Sequence, residues 1–318
     1  MLDTIGFNKT LMSLPLPMQG SNRGYNPIQI FTQFMASVWC GDNRYSHLDV
    51  IRFEPVIQKM FGWEKMPEHK AFQRYFQKFD IPTTYSVFGG LYSWLFSNLK
   101  FDNFTLDIDS SVLTRYGEQK GAKKGYNKYK PGRKSQHPII AFVSDVEMVA
   151  NFWLRSGDAH TANNFRAFLE ETLSFFKEKK IGLLRLDSGF YDQKIFDYLE
   201  EDDVHIDYIV AVPMYVNVQR KIVTQKTWLK LDNGIEITEF EFQAQDWLKP
   251  RRMVAVRQQI KQRPKAIGKQ LRLFEDNMEI NGYRYTCYTT TLKLSDPDVW
   301  RLYRGRANCE NRIKELKI

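Results

Sequence analysis

The spacing of hydrophobic and polar positions changes near residue 103. Before that point it is the spacing of helices, and after it strand and helix patterns are mixed. In the first third, apolar residues recur three or four positions apart, which places them on one face of a helix. The clearest run comprises Ile30, Phe31, Phe34, Met35 and Val38. It stops at Gly41, and residues 67–79 and 83–99 have the same spacing. We therefore predict a helical N-terminal region over residues 1–102.

Two local signals mark helix boundaries in this region. Ser46, followed three residues later by Asp49, has the spacing of a capping box at a helix start. Asp80-Ile81-Pro82 separates the two later helices. Two helices joined by a short turn are compatible with a DNA-binding helix-turn-helix, and ordinary helix packing is the alternative.

The pattern after residue 103 is that of an α/β domain. The predicted strands are 103–109, 138–144, 147–154, 181–187 and 206–212, and the predicted helices are 162–179 and 192–201. Thr161 precedes the first of these helices, and Asp192 fits as the N-cap of the second. Three strands followed by alternating helices and strands indicate a sheet whose antiparallel edge leads into a parallel part.

Residues 213–282 have mainly β character. The predicted strands are 217–223, 235–242 and 251–259, with turns at Asp232-Asn233-Gly234 and Lys249-Pro250. The segment 283–291 is again rich in strand-forming residues. We predict that residues 103–212 and 283–318 form one α/β domain, which a β insertion interrupts.

The composition is that of a globular protein. With 318 residues and 43% hydrophobic content, the chain can bury a large core, and its length favours about two domains. No apolar run approaches the roughly 18 residues that span a bilayer, and the start, MLDTIGFNKTLM, lacks the plan of a secretory signal. We therefore expect a cytoplasmic protein with no membrane partner. The wide spacing of Cys40, Cys287 and Cys309 argues against structural zinc and against a disulfide framework.

Basic residues are concentrated in two stretches of this chain, whose formal net charge is +9. Residues 115–137 carry eight Lys or Arg and one acid, and residues 249–272 carry nine Lys or Arg and no acid. Four glycines in the first stretch predict a flexible loop. Its candidate phosphate ligands are Lys123, Lys124, Lys128, Lys130 and Arg133. Such contacts would bind DNA with a salt-sensitive affinity, and an ordinary solvated face is the alternative.

The segment NFTLDIDSSV places two acids on the first predicted strand of the α/β domain. Because side chains alternate along a strand, Asp107 and Asp109 share one face, while Leu106 and Ile108 lie on the other. Burying two like charges is unfavourable unless a cation or hydrogen bonds compensate, so a metal ion would be a natural partner. The alternative is that one or both acids lie at a solvated strand end.

A third acid follows the apolar strand in IGLLRLDSGFYD. Asp187 comes at the carboxyl end of this strand, and Ser188-Gly189 turns the chain immediately after it. Open α/β sheets bind their ligands at this edge. Asp187 is therefore a candidate site residue.

A final helix is predicted to begin at Ser295 or Asp296, with Pro297 in its first turn, and to continue through Trp300. One face of it carries Tyr303, Arg306, Glu310 and Lys317. These residues are spaced by three, four and seven positions, so they lie on one side of the helix. We expect this face to be too polar for a core, and it is either a functional surface or an exposed salt-bridged one.

The spacing on that face, Y-x₂-R-x₃-E-x₆-K, resembles the signature of the bacterial cut-and-paste transposases of the insertion-sequence-four superfamily. The segments LDIDSSVLTRYGEQKGAKKGYNKYKPGRKSQHPIIAF, MVANFWLRSGDAHTANN, LRLDSGF and CENRIKELK are similar to one branch of it, the insertion-sequence family numbered 1380. The resemblance covers most of residues 104–318. It implies an RNase H-like fold with a β-rich insertion between the second Asp and the Glu.

The resemblance also implies a catalytic triad of two aspartates and one glutamate, carried here by Asp109, Asp187 and Glu310. In the superfamily the first acid precedes a small residue and then Thr or Ser, as Asp109 precedes Ser110-Ser111, and Asp107 is the alternative first acid. The triad would hold two Mg²⁺ ions, with Mn²⁺ as a substitute, because hard cations prefer oxygen ligands.

The function implied by the resemblance is metal-dependent DNA cleavage and strand transfer of an insertion sequence in the bacterial nucleoid. Its partners would be double-stranded DNA, as terminal inverted repeats and as target, and a second copy of the chain in a homodimer. Tyr303, Arg306 and Lys317 would hold phosphates near the cut. A structure-selective DNA nuclease and a catalytically inactive DNA-binding fragment are the alternatives. Because members of the superfamily continue beyond the glutamate helix, we expect this chain to be shortened at its C-terminus.

Overall fold

The computed structural model describes residues 4–21, 23–127, 130–232, 234–260 and 278–315. The chain divides into two units. The first comprises Met1–Lys100 with Phe175–Lys177, and the second comprises Phe101–Ser174 and Glu178–Lys317. In the described part of the chain, no helix is long and apolar enough to cross a membrane.

The first unit is built from helices, as the spacing of its apolar residues predicts. They are α1 (Phe7–Ser13), α2 (Pro27–Trp39), α3 (Leu48–Ile51), α4 (Pro55–Phe61), α5 (His69–Phe76) and α6 (Ile81–Asn98). Ile30 and Phe31 of α2 are buried with Phe72 of α5 in one core cluster. The Asp80 carboxylate caps α6 by accepting the Thr83 N–H at 2.9 Å.

The predicted capping box at Ser46 and Asp49 is wrong. Residues Tyr45–His47 form a short 3₁₀ helix whose start receives no side-chain hydrogen bond. The Asp49 carboxylate instead accepts the backbone N–H of His69 at 2.9 Å, at the first residue of α5, and it also pairs with the His69 ring. A contact between distant segments thus occupies the carboxylate that local spacing assigns to its own helix.

The second unit contains most of the strands that the sequence predicts. Its strands are β1 (Phe104–Ser110), β2 (Leu113–Thr114), β3 (Lys123–Lys124), β4 (Lys134–Gln136), β5 (Ile139–Val143), β6 (Met148–Trp153), β7 (Ile181–Leu186), β8 (Tyr208–Ala211), β9 (Leu229–Asp232), β10 (Ile235–Phe242), β11 (Arg251–Gln259), β12 (Met278–Ile280) and β13 (Tyr283–Thr290). The remaining helices are α7 (Phe165–Phe176), α8 (Gln193–Leu199), α9 (Val216–Val223), α10 (Asp296–Arg304) and α11 (Arg306–Glu315).

One large mixed sheet organises this unit. Among the described residues its strand order is β6-β5-β1-β7-β8-β13-β11-β10-β9, with β12 beside β13. Strands β6, β5 and β1 run antiparallel, whereas β1, β7 and β8 run parallel. These five strands have the order and directions of an RNase H-like fold, so the predicted fold class is confirmed. Strands β9 to β13 extend the same sheet with antiparallel neighbours.

The predicted strand at 217–223 is wrong, because this segment lies in helix α9. Val218 and Ile222 are buried, and they are four residues apart. The β-branched composition of the segment favours a strand, but its burial follows the spacing of a helix. Packing of the apolar side chains thus decides the local conformation here.

The flexible loop predicted at 115–137 is wrong for the described residues of that stretch, which contain β3 and β4 of a small sheet of order β2-β4-β3. Its glycines allow close packing. A Cβ on Gly125 would lie 1.8 Å from the carbonyl oxygen of Gly157, and a Cβ on Gly157 would lie 2.3 Å from that of Lys123. Two backbones therefore touch at these positions. Lys128, and the second basic stretch from residue 261 onward, lie outside the described residues.

The predicted final helix is in fact two helices, α10 and α11, which meet at Gly305. The Arg185 guanidinium donates through Nη1 to the Leu302 carbonyl at 2.6 Å, and it lies 2.5 Å from the position of a Cβ on Gly305. The Leu302 carbonyl also accepts the Gly305 N–H at 3.2 Å, at the end of α10. Because the guanidinium lies where a Cβ would stand, glycine leaves the room for it at this junction.

Candidate active site

Two acids lie at the carboxyl ends of adjacent parallel strands. The register of the sheet pairs Ile108 of β1 with Leu186 of β7. The next residue is Asp109 on the first strand and Asp187 after the second. Their carboxylates therefore belong to the same edge of the sheet, where open α/β folds bind ligands.

Arg306, the first residue of α11, connects the first acid to the glutamate. Its Nη2 donates to Asp109 Oδ1 at 2.8 Å, and its Nη1 donates to Glu310 Oε1 at 2.6 Å. The Arg306 side chain is 3% exposed, and its Nε–H has no partner among the described residues. Burial lowers the pKa of Arg306, but the charges around it, that of Asp109 foremost, raise the pKa well above its ordinary value. The acids therefore surround a permanent cation.

Helix α11 is anchored on the sheet by two apolar residues one turn apart. Cys309 and Ile313 are buried against Ile140 and Phe142 of β5. The thiol is a neutral packing group here, because burial raises the pKa of Cys309. This apolar contact positions the helix so that its polar residues reach the carboxyl end of β1.

Asp187 is placed by the short 3₁₀ helix Ser188–Phe190 that follows it. Its Oδ1 accepts the backbone N–H of Gly189 at 3.0 Å. Burial raises the pKa of Asp187 to about 7, and the negative charges of Asp109 and Glu310 act in the same direction, while Arg306 lowers it. This carboxyl therefore exchanges its proton near neutral pH.

Asp107 has a different environment from Asp109, although both lie on the same face of β1. The fully buried Asp107 carboxylate accepts two hydrogen bonds from Arg185, at 2.6 and 2.7 Å. Arg185 also donates to the Ser144 hydroxyl at 3.0 Å. Burial raises the pKa of Asp107, and the hydrogen bonds from Arg185 lower it. The two oxygens of Asp107 are thus committed to a buried ion pair.

Tyr303 is buried beside this edge of the sheet. Its hydroxyl donates to the Leu186 carbonyl at 3.3 Å, and its ring centroid lies 4.5 Å from that of Tyr288. The expectation that the polar face of the final helix is too polar for a core is therefore wrong for Tyr303 and for Arg306. Lys317 lies outside the described residues.

The basic candidates of the small sheet are exposed. Lys123 forms an ion pair with Asp158 at 3.1 Å. Lys130 and Arg133 both lie against the ring of Tyr116, with their charged groups 4.8 and 5.9 Å from its centroid. Lys124 is exposed on β3. The structure thus gathers these cations on one small folded element.

A protein-family model described as "Transposase DDE domain group 1" matches residues 3–318. The chain belongs to this family. DDE transposases are phosphoryl-transfer enzymes that generally use divalent metal ions. The three carboxylates around Arg306 are thus part of a DDE domain.

Two solved structures are similar to this DDE domain. One is described as a cryo-EM structure of piggyBac transposase synaptic complex with hairpin DNA; the match has 12% identity and a TM-score of 0.48, and it covers 90% of this chain and 56% of that one. The other is described as Mos1 transposase paired-end complex with left transposon end, with 8% identity, a TM-score of 0.23 and coverage of 58% and 60%. This chain therefore spans less than two thirds of the length of either. No curated protein matches it.

The residues of the DDE domain fit a divalent cation by their chemistry. Asp109, Asp187 and Glu310 offer hard oxygen donors, and their mutual repulsion helps to raise the pKa of Asp187 despite the nearby Arg306. A divalent ion would relieve this excess of negative charge. In the ranges that the structure describes, no group of three or more acids, histidines or cysteines is arranged so that it could hold a metal ion. The Arg306 guanidinium bonds two of the carboxylates, so it would have to withdraw to admit an ion.

Sequence patterns missed two arginines of the DDE domain. Arg185 interrupts the apolar strand LLRLD, and a charge on such a strand signals a buried partner, which is Asp107. Arg155 is also buried, and it contacts Ser110, which follows the first acid. No short-range signal identifies its partners, because they come from several separate positions along the chain.

The raised pKa of Asp187 predicts that the stability of the metal-free DDE domain falls as pH rises. A carboxyl with a folded-state pKa of about 7 and an ordinary pKa of 3.8 binds its proton more tightly in the folded state. The stabilisation is complete below pH 4 and is lost between about pH 4 and pH 7, on the order of 3 kcal/mol. Urea unfolding in EDTA at about pH 5 and pH 8 measures it. In Asp187→Asn this part of the pH dependence should be absent, and an unchanged dependence would contradict the assignment.

Proposed function

We propose that this DDE domain cleaves DNA at the ends of an insertion sequence and transfers the strands to a target, and that it is a member of the insertion-sequence-four superfamily close to the family numbered 1380. The observation that carries this proposal is that three carboxylates, Asp109, Asp187 and Glu310, share the charge of one cation: Arg306 bonds Asp109 and Glu310, and its charge acts on Asp187, at the carboxyl edge of β1 and β7. They come from two strands and a helix that are far apart in the sequence.

We assign Asp109, not Asp107, as the first acid of the triad. The oxygens of Asp107 accept both hydrogen bonds of a buried guanidinium, so this acid is committed to Arg185. Asp109 is partly exposed and shares its cation with Glu310. An acid that binds a metal ion must be able to exchange its partner, which favours Asp109.

Asp109, Asp187 and Glu310 would hold the Mg²⁺ ions, or Mn²⁺ in their place. When bound, such ions activate a water or a 3′-hydroxyl and stabilise the leaving oxygen of an in-line phosphoryl transfer. Arg306 would contribute a permanent positive charge for a phosphate oxygen once it leaves the carboxylates. Tyr303 positions the end of β7 through its bond to the Leu186 carbonyl, one residue before Asp187.

The small sheet would bind the DNA backbone. Its exposed cations are spread over β3 and the segment before β4, and their charges act on any duplex irrespective of sequence. Duplex DNA would therefore be the partner at this surface. A homodimer on two element ends is part of the same proposal, because strand transfer joins both ends to one target.

A strand-transfer assay tests this function directly. A labelled duplex that ends in the element's terminal repeat is incubated with the chain, Mg²⁺ and a supercoiled target plasmid. The proposal expects nicking at the repeat end and joined products that require its 3′-hydroxyl. Nicking without joined products, for any end sequence tried, would instead indicate a nuclease.

Neutralising the small sheet is expected to weaken DNA binding. The variant Lys124→Gln, Lys130→Gln, Arg133→Gln should reduce the salt slope of binding by roughly 0.9 for each DNA phosphate that the protein no longer neutralises. Fluorescence anisotropy over a series of salt concentrations measures this slope.

The matched control changes Lys226, Lys230 and Lys293, which are exposed on the second unit, to Gln. It removes the same charge, and the salt slope should stay near that of the wild type. An equal reduction of the slope in both variants would mean that only net charge matters, and the small sheet would lose its assignment as the DNA surface.

A further inference from the structure

Arg155 lies two residues after β6 and is 8% exposed. None of the ion pairs among the described residues involves this buried guanidinium, and burial lowers its pKa. Its hydrogen bonds go to the carbonyls of His137, His160, Thr161 and Asn163 and to the Ser110 hydroxyl, at 2.9 to 3.2 Å. A buried cation that is solvated by backbone carbonyls fixes the path of the chain around it.

Three of these carbonyls belong to residues 156–164, which we call the linking segment. It is irregular, and α7 begins only at Phe165, three residues later than the sequence predicts. The Arg155 Nη1 donates to the carbonyls of His160, Thr161 and Asn163, so the segment curls around one guanidinium. Its course is therefore set by Arg155.

One end of the linking segment is packed against the small sheet. Ser156 pairs with Gln136 of β4, and Asp158 forms the ion pair with Lys123 of β3. Gly157 contacts the backbone of the same sheet so closely that a Cβ there would lie 2.2 Å from the Ser135 carbonyl oxygen. The proposed DNA-binding surface thus rests on this segment.

Its other end lies beside the turn that follows Asp187, and Arg155 itself contacts the residue after Asp109. A Cβ on Gly189, two residues after Asp187, would lie 2.9 Å from the Thr161 methyl group. The Arg155 Nη2 donates to the Ser110 hydroxyl at 3.0 Å, directly after Asp109. Arg155 and the linking segment that it holds therefore connect the small sheet, the end of β1 and the turn after β7.

We propose that Arg155 is a positioning residue, which couples the contact of the small sheet with DNA to the placement of Asp109 and Asp187. It touches neither substrate nor reacting atoms. When DNA is bound on the small sheet, Arg155 holds the linking segment against Ser110 and Gly189. This contact keeps Asp109 and Asp187 aligned with the bound DNA. The inference rests on the proposed function and assigns to it a residue outside the triad.

The sharpest test uses Ser110, because its hydroxyl is the part of this network that belongs to the strand of the first acid. Ser110→Ala removes the hydrogen bond, whereas Ser110→Thr keeps a hydroxyl at the same position. We expect Ser110→Ala to lower the cleavage rate at saturating DNA about 10-fold to 100-fold, since a small misplacement of reacting groups has effects of this size. The affinity for DNA and its salt slope should not change, and Ser110→Thr should restore the rate. A Ser110→Ala variant with the wild-type rate would overturn the proposal.

Arg155→Lys tests whether the several N–H donors of the guanidinium are needed, or only its charge. A lysine keeps the charge but cannot donate in the fixed directions that reach the linking segment and Ser110 together. Its cleavage rate should fall at least as far as that of Ser110→Ala, with duplex affinity unchanged. A full cleavage rate in Arg155→Lys would mean that charge alone suffices, and would also overturn the proposal.

Hydrogen exchange separates this inference from the proposed function, because it needs DNA binding but no cleavage. A mixed-sequence duplex added to the wild type should slow amide exchange in the small sheet, in residues 156–164 and at Ser110. In Arg155→Lys the slowing should remain in the small sheet and disappear at Ser110. If the wild type binds DNA without any slowing at Ser110, the coupling is absent, whether or not the chain cleaves. If the slowing appears but no substrate is cleaved, the coupling stands and the proposed function fails.

Discussion

Asp187→Asn and Glu310→Gln are each expected to abolish DNA cleavage while the affinity for duplex DNA stays within a few fold of the wild type. Loss of a metal ligand removes charge from the transition state, whereas binding depends mainly on lysines and arginines. Gel assays of nicking with Mg²⁺ and with Mn²⁺, combined with anisotropy of the same duplex, measure both quantities.

Asp192→Asn is the matched control for this result. Asp192 is five residues from Asp187 and caps α8 by accepting the Lys194 N–H at 2.8 Å. Asparagine caps helices as well as aspartate does, so this variant makes the same chemical change without loss of function. Near-normal cleavage by Asp187→Asn or Glu310→Gln would remove that residue from the triad.

Substitutions of the two acids of β1 are expected to have different effects, one on cleavage and the other on stability. Asp109→Asn should abolish cleavage with a small change in stability, because Arg306 keeps its bond to Glu310. Asp107→Asn should lower the free energy of unfolding by about 3 kcal/mol or more, because it leaves the buried Arg185 without a charged partner. Urea unfolding and cleavage at a temperature where both variants are folded separate the two effects.

Arg185→Met in the Asp107→Asn background serves as the control for this second result. Removing both charges of a buried pair is less harmful than removing one, so the double variant should recover part of the missing stability. A stable Asp107→Asn variant that does not cleave DNA would contradict our assignment and make Asp107 the first acid.

The strands around the site could be predicted from sequence because their apolar residues either alternate with polar ones or form short continuous runs. Leu106 and Ile108 are fully buried, and all of Ile139–Val143 is buried. The same reasoning failed at 217–223, where β-branched residues form a helix. It also failed at 115–137, where glycines make close backbone contacts that no pattern of apolar residues reveals. These outcomes depend on what each segment packs against.

The spacing of Tyr303, Arg306 and Glu310 predicts that they share a side of one helix, but it predicts neither the break at Gly305 nor what that side meets. In the structure Tyr303 of α10 and Arg306 of α11 both meet the sheet edge, where carboxylates and a carbonyl oxygen compensate the buried polar groups. Arg185 and Arg155 could not be assigned in advance for the same reason. Their partners are fixed by the tertiary fold, and periodicity contains only local information.

The hydrogen bonds of Arg185 and Arg306, beside the carboxyl ends of β1 and β7, join positions very far apart along the chain. Arg185 and Asp107 are separated by 78 residues, Arg185 and Leu302 by 117, and Arg306 and Asp109 by 197. Closing such long loops carries an entropic cost that must be met before the contact can stabilise anything. During folding we therefore expect hairpins such as β10 and β11 to form early, and the contacts of Arg185 and Arg306 to be among the later ones in the second unit. The acids proposed to bind a metal ion would then come together only after the local hairpins have formed.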